Sequence, residues 1–211
     1  MKVLKFGGTS VGSAKNINKV ISILNKSSKK DHLVVVVSAI GGITDKLHYA
    51  ASTACEKNED YISIYKSIKQ KHIDVINELA TTNNIDSVKA DLIGDVIFEL
   101  EKLKSFLDGI YLINELSPKT TDKLLSFGEH LSSMIISKVM NTMSFDTALK
   151  NAHELIITDN DFTKANVDFE TTNLNIKSFF NNKKVPITII PGFTSKSKGG
   201  EITTLGRGGS D

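Results

Sequence analysis

Arginine occurs once in this 211-residue sequence, at Arg207, although Lys and Arg together number 26. Against 24 Asp plus Glu the formal net charge is only +2. That balance is unlike the concentrated positive face of proteins that bind a phosphate backbone, so no nucleic-acid partner is expected. Base composition of the coding sequence suffices to explain the lysine excess. Cysteine also occurs once, at Cys55, which excludes an internal disulfide. No Cys/His spacing suits zinc, and a reducing compartment fits. Tryptophan is absent and prolines number three. No apolar run approaches the roughly 20 residues of a membrane helix, so no membrane partner is expected. A strand-like run at the very start leaves no room for a signal or transit peptide. The expected location is cytoplasmic. What remains, 40% hydrophobic and 24% charged residues, is an ordinary globular composition at a length that can bury a sizeable core.

The apolar residues fall into two periodicities. Val3 to Phe6 reads as a short buried strand ending at Gly7-Gly8, and Ile17, Val20, Ile21 and Leu24 recur at helical spacing after a capping Ser13. Leu33 to Val37 is apolar at every position, as in a parallel strand covered on both faces. It ends in Ser38-Ala39-Ile40-Gly41-Gly42, and a helix starts near Thr44. Further helices are expected over roughly 60–80, 84–108 and 119–141, with stripes such as Ile64/Ile68/Val75/Leu79 and Leu92/Val96/Leu100/Leu103. Short strands between 144 and 168, a helix near 170–181, a strand over Val185 to Ile190 and a hairpin around Ile202 to Leu205 complete the pattern. Strands separated by helices predict an α/β fold. Its mostly parallel central sheet would carry helices on both faces, with a helical insertion between the second and third core strands.

Three strand ends carry loops rich in glycine and hydroxyls: Lys5 to Gly12, Ser38 to Gly42, and Pro191 to Asp211. Open α/β sheets bind ligands at the carboxyl ends of their strands. Glycines there let backbone N–H groups approach phosphate oxygens, and a following helix N-terminus adds a favourable dipole. Lys5 would add a mobile positive charge at the same spot. Each Gly-Gly alone is more often only a tight turn; their joint placement favours a phosphate cradle. Neither GxxxxGK[ST] nor GxGxxG occurs, which counts against P-loop enzymes and dinucleotide-binding dehydrogenases.

The stretch Lys5-Phe6-Gly7-Gly8-Thr9-Ser10-Val11-Gly12 resembles the opening signature of aspartokinases, members of the amino acid kinase superfamily. Ser38 to Thr44 is similar to that family's SA-x-x-G-x-T stretch, Ser126-Phe127-Gly128-Glu129 to its S-x-G-E segment, and Thr203 to Asp211 to its TTLGRGGSD run. The matches follow family order over the whole chain. Other superfamily members share the glycine loops but not the last run. The resemblance implies an amino acid kinase-like fold and phosphorylation of the L-aspartate β-carboxylate by ATP, with Mg2+, to 4-phospho-L-aspartate. This is the first step toward lysine, threonine and methionine. It implies that Lys5, Gly7, Gly8, Thr9, Ser10 and Ser38 hold the phosphates, and that Thr44, Glu129, Phe193, Arg207 and Ser210 surround aspartate. Lys5 and Asp211 would form the catalytic centre. It also implies a homo-oligomer in the full-length protein.

These residue types suit the chemistry. Phosphoryl transfer demands positioning and charge stabilisation more than covalent help. Arg207 offers a planar fork for a carboxylate, which lysine would serve less well. Glu129, placed near a helix start, can accept from the substrate ammonium. Asp211 reads as an organiser of Lys5 or of magnesium, because an attacking carboxylate with a reference pKa of about 3.9 is already ionised. Phe193 reads equally as packing under its turn, Thr9 and Ser10 as helix-start hydroxyls, His130 as a surface or supporting residue, and Cys55 as a small core residue. His32, His48, His72 and His153 receive no role. The sequence stops inside a glycine-rich loop. Residues 1–211 are therefore expected to be the amino-acid-binding part of a catalytic domain, ending before most of its nucleotide-binding half and any ACT domains, and to turn over little alone. A fusion to homoserine dehydrogenase, a different amino acid acceptor, or a non-catalytic binding module are the alternatives.

Overall fold

The computed structural model describes residues 1–182 and 185–206. A four-stranded parallel sheet forms its centre, in the order β1 (Lys2–Phe6), β2 (Leu33–Val37), β5 (Ile187–Pro191), β3 (Thr147–Leu149). β2 is internal, as its unbroken apolar run requires. Leu33, Val35 and Val37 join the main core with Ile187 and Ile189. Val34 and Ile190 face a smaller cluster where Ile176, Phe179 and Phe180 of α6 (Phe169–Asn182) pack. Both sheet faces are thus covered. β1, expected to be buried, is instead an edge strand: Val3 and Lys5 are exposed, while Leu4 and Phe6 pack against the core.

Ser13 caps α1 (Ala14–Ser28), its hydroxyl accepting from the Asn16 N–H at 3.3 Å. After β2 come α2 (Ile43–Cys55), α3 (Asp60–Asn83), α4 (Lys89–Ile113) and α5 (Pro118–Thr142), the expected helical insertion. The helix expected over roughly 84–108 is shifted. Asn84 adopts a left-handed φ of 55° and ends α3, a short 3-10 turn spans Asp86–Val88, and α4 then runs on until Asn114 repeats the left-handed cap at φ 58°. Asparagine tolerates that conformation better than most residues. Cys55 is half-buried against the main core.

Beyond the main sheet, β4 (Ile157–Thr158), β6 (Thr194–Ser197) and β7 (Ile202–Thr204) form a second sheet. β6 and β7 make the expected hairpin. The last strand of the main sheet begins at Ile187 rather than Val185 and takes in Pro191.

Glycine decides how closely these parts approach. A Cβ on Gly128 would lie 2.9 Å from the Ala39 Cβ and 3.3 Å from Leu47 Cδ1, so α5 lies against the loop after β2 with no room for a side chain. Gly128→Ala should therefore destabilise the protein by about 1–3 kcal/mol through overpacking. Gly94→Ala, at an open position inside α4, should stabilise it by roughly 0.5–1 kcal/mol. Urea midpoints of the two variants check both signs.

Candidate active site

β1, β2 and β5 finish level with one another, because Phe6, Val37 and Pro191 are register partners. The ladder continues one residue further: the Ser38 N–H donates to Phe6 O at 3.0 Å, and the Gly192 N–H to Val37 O at 2.8 Å. Three loops therefore leave the sheet side by side at its carboxyl edge. Lys5 lies one residue back, exposed, in a row with Val36 and Ile190.

The first two loops are packed onto each other. A Cβ on Gly12 would lie 3.0 Å from Gly8 O, and one on Gly41 would lie 3.2 Å from Gly8 O and 3.3 Å from Gly12 Cα. Gly8, Gly12 and Gly41 thus serve loop-to-loop contact. Gly7 has open space beside it, and Gly42 supplies the left-handed turn (φ 81°) into α2. This refines the symmetric cradle expected from the two Gly-Gly pairs: one glycine of the first pair faces open space and the other joins the loops. The Gly7 carbonyl accepts from the Ser10 and Val11 N–H groups at 2.8 and 3.3 Å. The capping hydroxyl of α1 belongs to Ser13, so Thr9 and Ser10 do not cap the helix.

α5 closes the site from the side. The Ser132 hydroxyl donates to Ser38 O at 2.6 Å, and the Ala39 N–H donates to Glu129 Oε1 at 3.3 Å. Glu129 lies in the middle of α5 rather than near its start, which corrects the sequence reading. No helix-terminal dipole stabilises it. It is 3% exposed, and among the described residues its Oε2 has no hydrogen-bond partner. Burial pushes its pKa up to about 7, only partly opposed by the Ala39 N–H. Thr44 is half-buried in the first turn of α2, and α2 packs against α5.

The third loop is held just as firmly. Phe193 adopts φ 64°, a costly conformation for a bulky residue. Its ring packs at the core margin, and its carbonyl accepts from the Leu205 N–H at 3.0 Å. Phe193 is thereby both a packing residue and a neighbour of the edge. Arg207, Ser210 and Asp211 lie outside the described residues. The segment leading to them is anchored by a residue that sequence reasoning missed. Asp122, fully buried on α5, accepts from the Thr204 hydroxyl at 2.5 Å, the Thr204 N–H at 3.0 Å and the Thr163 N–H at 2.9 Å. Its position just after the polar first turn of α5, beside Thr120 and Thr121, reads from sequence as solvent-facing.

Residues 1–211 match the amino acid kinase family, and the chain belongs to that family. Among named relatives it is similar to aspartokinase 1, chloroplastic, of Arabidopsis thaliana. The two are 34% identical over 216 residues, covering 99% of this chain and 36% of the relative. It is also similar to the bifunctional aspartokinase/homoserine dehydrogenase of Buchnera aphidicola subsp. Acyrthosiphon pisum (strain APS), at 27% over 214 residues, 100% of this chain and 26% of the relative. The fold matches E. coli aspartokinase III at a TM-score of 0.83. The match holds in the complex with aspartate and ADP (R-state), at 24% identity, and in the complex with lysine and aspartate (T-state), at 25%. Each covers 99% of this chain and 44% of that one. The chain therefore spans less than half the length of these relatives.

Removing the Asp122 carboxylate would orphan the buried N–H and hydroxyl of Thr204 and release the Thr163 N–H. Asp122→Ala should cost about 3 kcal/mol or more in urea unfolding. Asp161→Ala, at an exposed position of the neighbouring loop, should leave the midpoint nearly unchanged.

Proposed function

We propose that this chain is the amino-acid-binding part of an aspartokinase catalytic domain, in which the γ-phosphoryl group of ATP is transferred to the β-carboxylate of L-aspartate. The observation that carries the reading is Glu129. A buried carboxylate with one unpartnered oxygen, beside a glycine-lined strand edge, suits a substrate ammonium group. An ammonium ion there would supply the missing partner and favour the charged form. The names of the relatives, and the aspartate and ADP bound by the E. coli enzyme, support the choice of substrates.

A carboxylate oxygen of aspartate attacks the γ-phosphorus, the bond to the β,γ-bridging oxygen breaks, and ADP leaves with that electron pair. The nucleophile is ionised at neutral pH, so no side chain need remove a proton. Catalysis then rests on alignment and on neutralising charge. Lys5 meets the transferring group. Gly7 and Gly8, with Thr9, Ser10 and Ser38, line the phosphate path. Arg207 and Ser210 hold the substrate carboxylates, with Thr44 and Phe193 beside them. Asp211 would organise Lys5 or magnesium. Magnesium would accompany ATP. However, the described residues contain no group of three His, Cys, Asp or Glu side chains able to hold a metal, and Asp211 lies outside them.

No helix among the described residues is long and apolar enough to cross a membrane. A reducing cytoplasmic setting suits the single cysteine, although the Arabidopsis relative is chloroplastic. Phe98, Leu112 and Ile113, exposed on α4, are surface of the kind that a homo-oligomer buries.

A coupled ADP-release assay on the full-length protein tests the reading. L-Aspartate should be preferred over glutamate and N-acetylglutamate; the reverse order would overturn the substrate. Lys5→Ala should lower kcat about a hundredfold or more with circular dichroism unchanged. Glu129→Gln should raise the KM for aspartate about tenfold or more. Unchanged activity in Lys5→Ala would reject its role.

A further inference from the structure

Lys123, Ser126, Phe127 and His130 lie at i, i+3, i+4 and i+7 on α5, a face that Glu129 does not share. That face borders a cavity of about 510 Å3. This is the size of a small-molecule site.

The lining combines charged and aromatic side chains. Among the described lining residues Glu99 is the one carboxylate, and Lys102 already pairs with it at 2.6 Å. Lys123 in the wall is half-buried, as is nearby Lys196 on β6, and neither has a carboxylate partner among the described residues. Two histidines stand among these cations. Burial holds the His130 pKa below its ordinary value; Lys102 and Lys123 reinforce that, while Glu99, 3.8 Å away, and Asn151 oppose it. Burial likewise lowers His153, reinforced by Lys123, Lys196 and His130 and opposed by Glu154. Asn151 adds a neutral donor to the wall. Half-buried cations without counter-charges are costly, and an anion would relieve them. Phe127 shares its α5 face with Lys123 and His130, and Phe106 follows Lys102 by one turn of α4; the two rings meet edge to face at 6.0 Å, with Ile202 also in the lining.

We propose that this cavity binds a small anion with an apolar body, a carboxylate or a phosphate ester. Its charged head lies among Lys123, His130, His153 and Asn151, and its body lies on Phe106 and Phe127. The site shares α5 and the corner between Pro191 and Thr194 with the candidate active site, yet among the described residues its lining includes none of the proposed substrate-binding residues Thr44, Glu129 and Phe193. It stands independently of the phosphoryl-transfer reading.

The test uses full-length protein with 13C-labelled histidine, its ring signals assigned through His130→Gln and His153→Gln. Phenyl phosphate, phenylacetate and phenethylamine share an aromatic body and differ in charge. Either or both anions should shift the His130 and His153 signals saturably and raise their titration midpoints, and the tighter of the two identifies the head group. The amine should leave the signals in place. Lys123→Ala should weaken anion binding about tenfold or more, with Lys123→Gln as the substitute should the alanine variant fail to fold. Signals that move equally with the amine, that fail to saturate by about 10 mM anion, or that respond identically in the Lys123 variant would overturn the proposal.

Discussion

The approach of α5 to the loop after β2 sets the arrangement of everything at the carboxyl edge. It is possible only because residue 128 lacks a side chain, with a notional Cβ falling 2.9 Å from that of Ala39. With the helix at that distance, Ser132 reaches Ser38 and Glu129 is carried out of water against the Ala39 N–H. Nearer its start, the same helix presents Asp122 to Thr204 and Thr163. One rigid element therefore positions the second loop, the buried carboxylate and the strand that precedes Arg207. A site spread over loops distant in sequence gains its precision from a single helix.

That arrangement carries an electrostatic cost at its centre. Glu129 is buried with one oxygen satisfied, which raises its pKa to about 7. Strain is stored nearby as well, in the left-handed backbone of Phe193. Both are unfavourable in the free protein, and both sit where the proposed reaction needs shape and charge prepared before substrate arrives. On this account the ammonium group of aspartate completes the Glu129 site, while Lys5, across the sheet edge, meets the phosphoryl group. Neither partner has to reorganise the backbone, because the strands end in register and the first two loops already touch through Gly8, Gly12 and Gly41.

Much of this was legible in the sequence where a local signal existed. The five apolar residues of β2, the Ser13 cap and the glycine-rich strand ends each reflect chemistry within a few residues. So does the hairpin around Ile202 to Thr204. What stayed hidden depended on distant contacts. Nothing near Asp122 announces that it will be buried, since its partners lie about 40 and 80 residues downstream. Glu129 could be chosen from a motif but not placed, and its mid-helix burial reverses the reason for its character, from dipole to desolvation. The start of α4 was misplaced because Asn84 ends α3 through a left-handed backbone that apolar periodicity does not encode. β1 was read as buried from its composition, whereas its place at the sheet edge is a property of strand order.

The side-chain carboxyl signal of Glu129, followed by 13C NMR against pH with and without L-aspartate, tests the central claim most directly. The account predicts a midpoint near 7 in the free protein. It also predicts that saturating aspartate moves that midpoint down toward the ordinary carboxylate range, as the ammonium group favours the ionised form. A midpoint that stays in place while calorimetry shows aspartate bound would contradict the account.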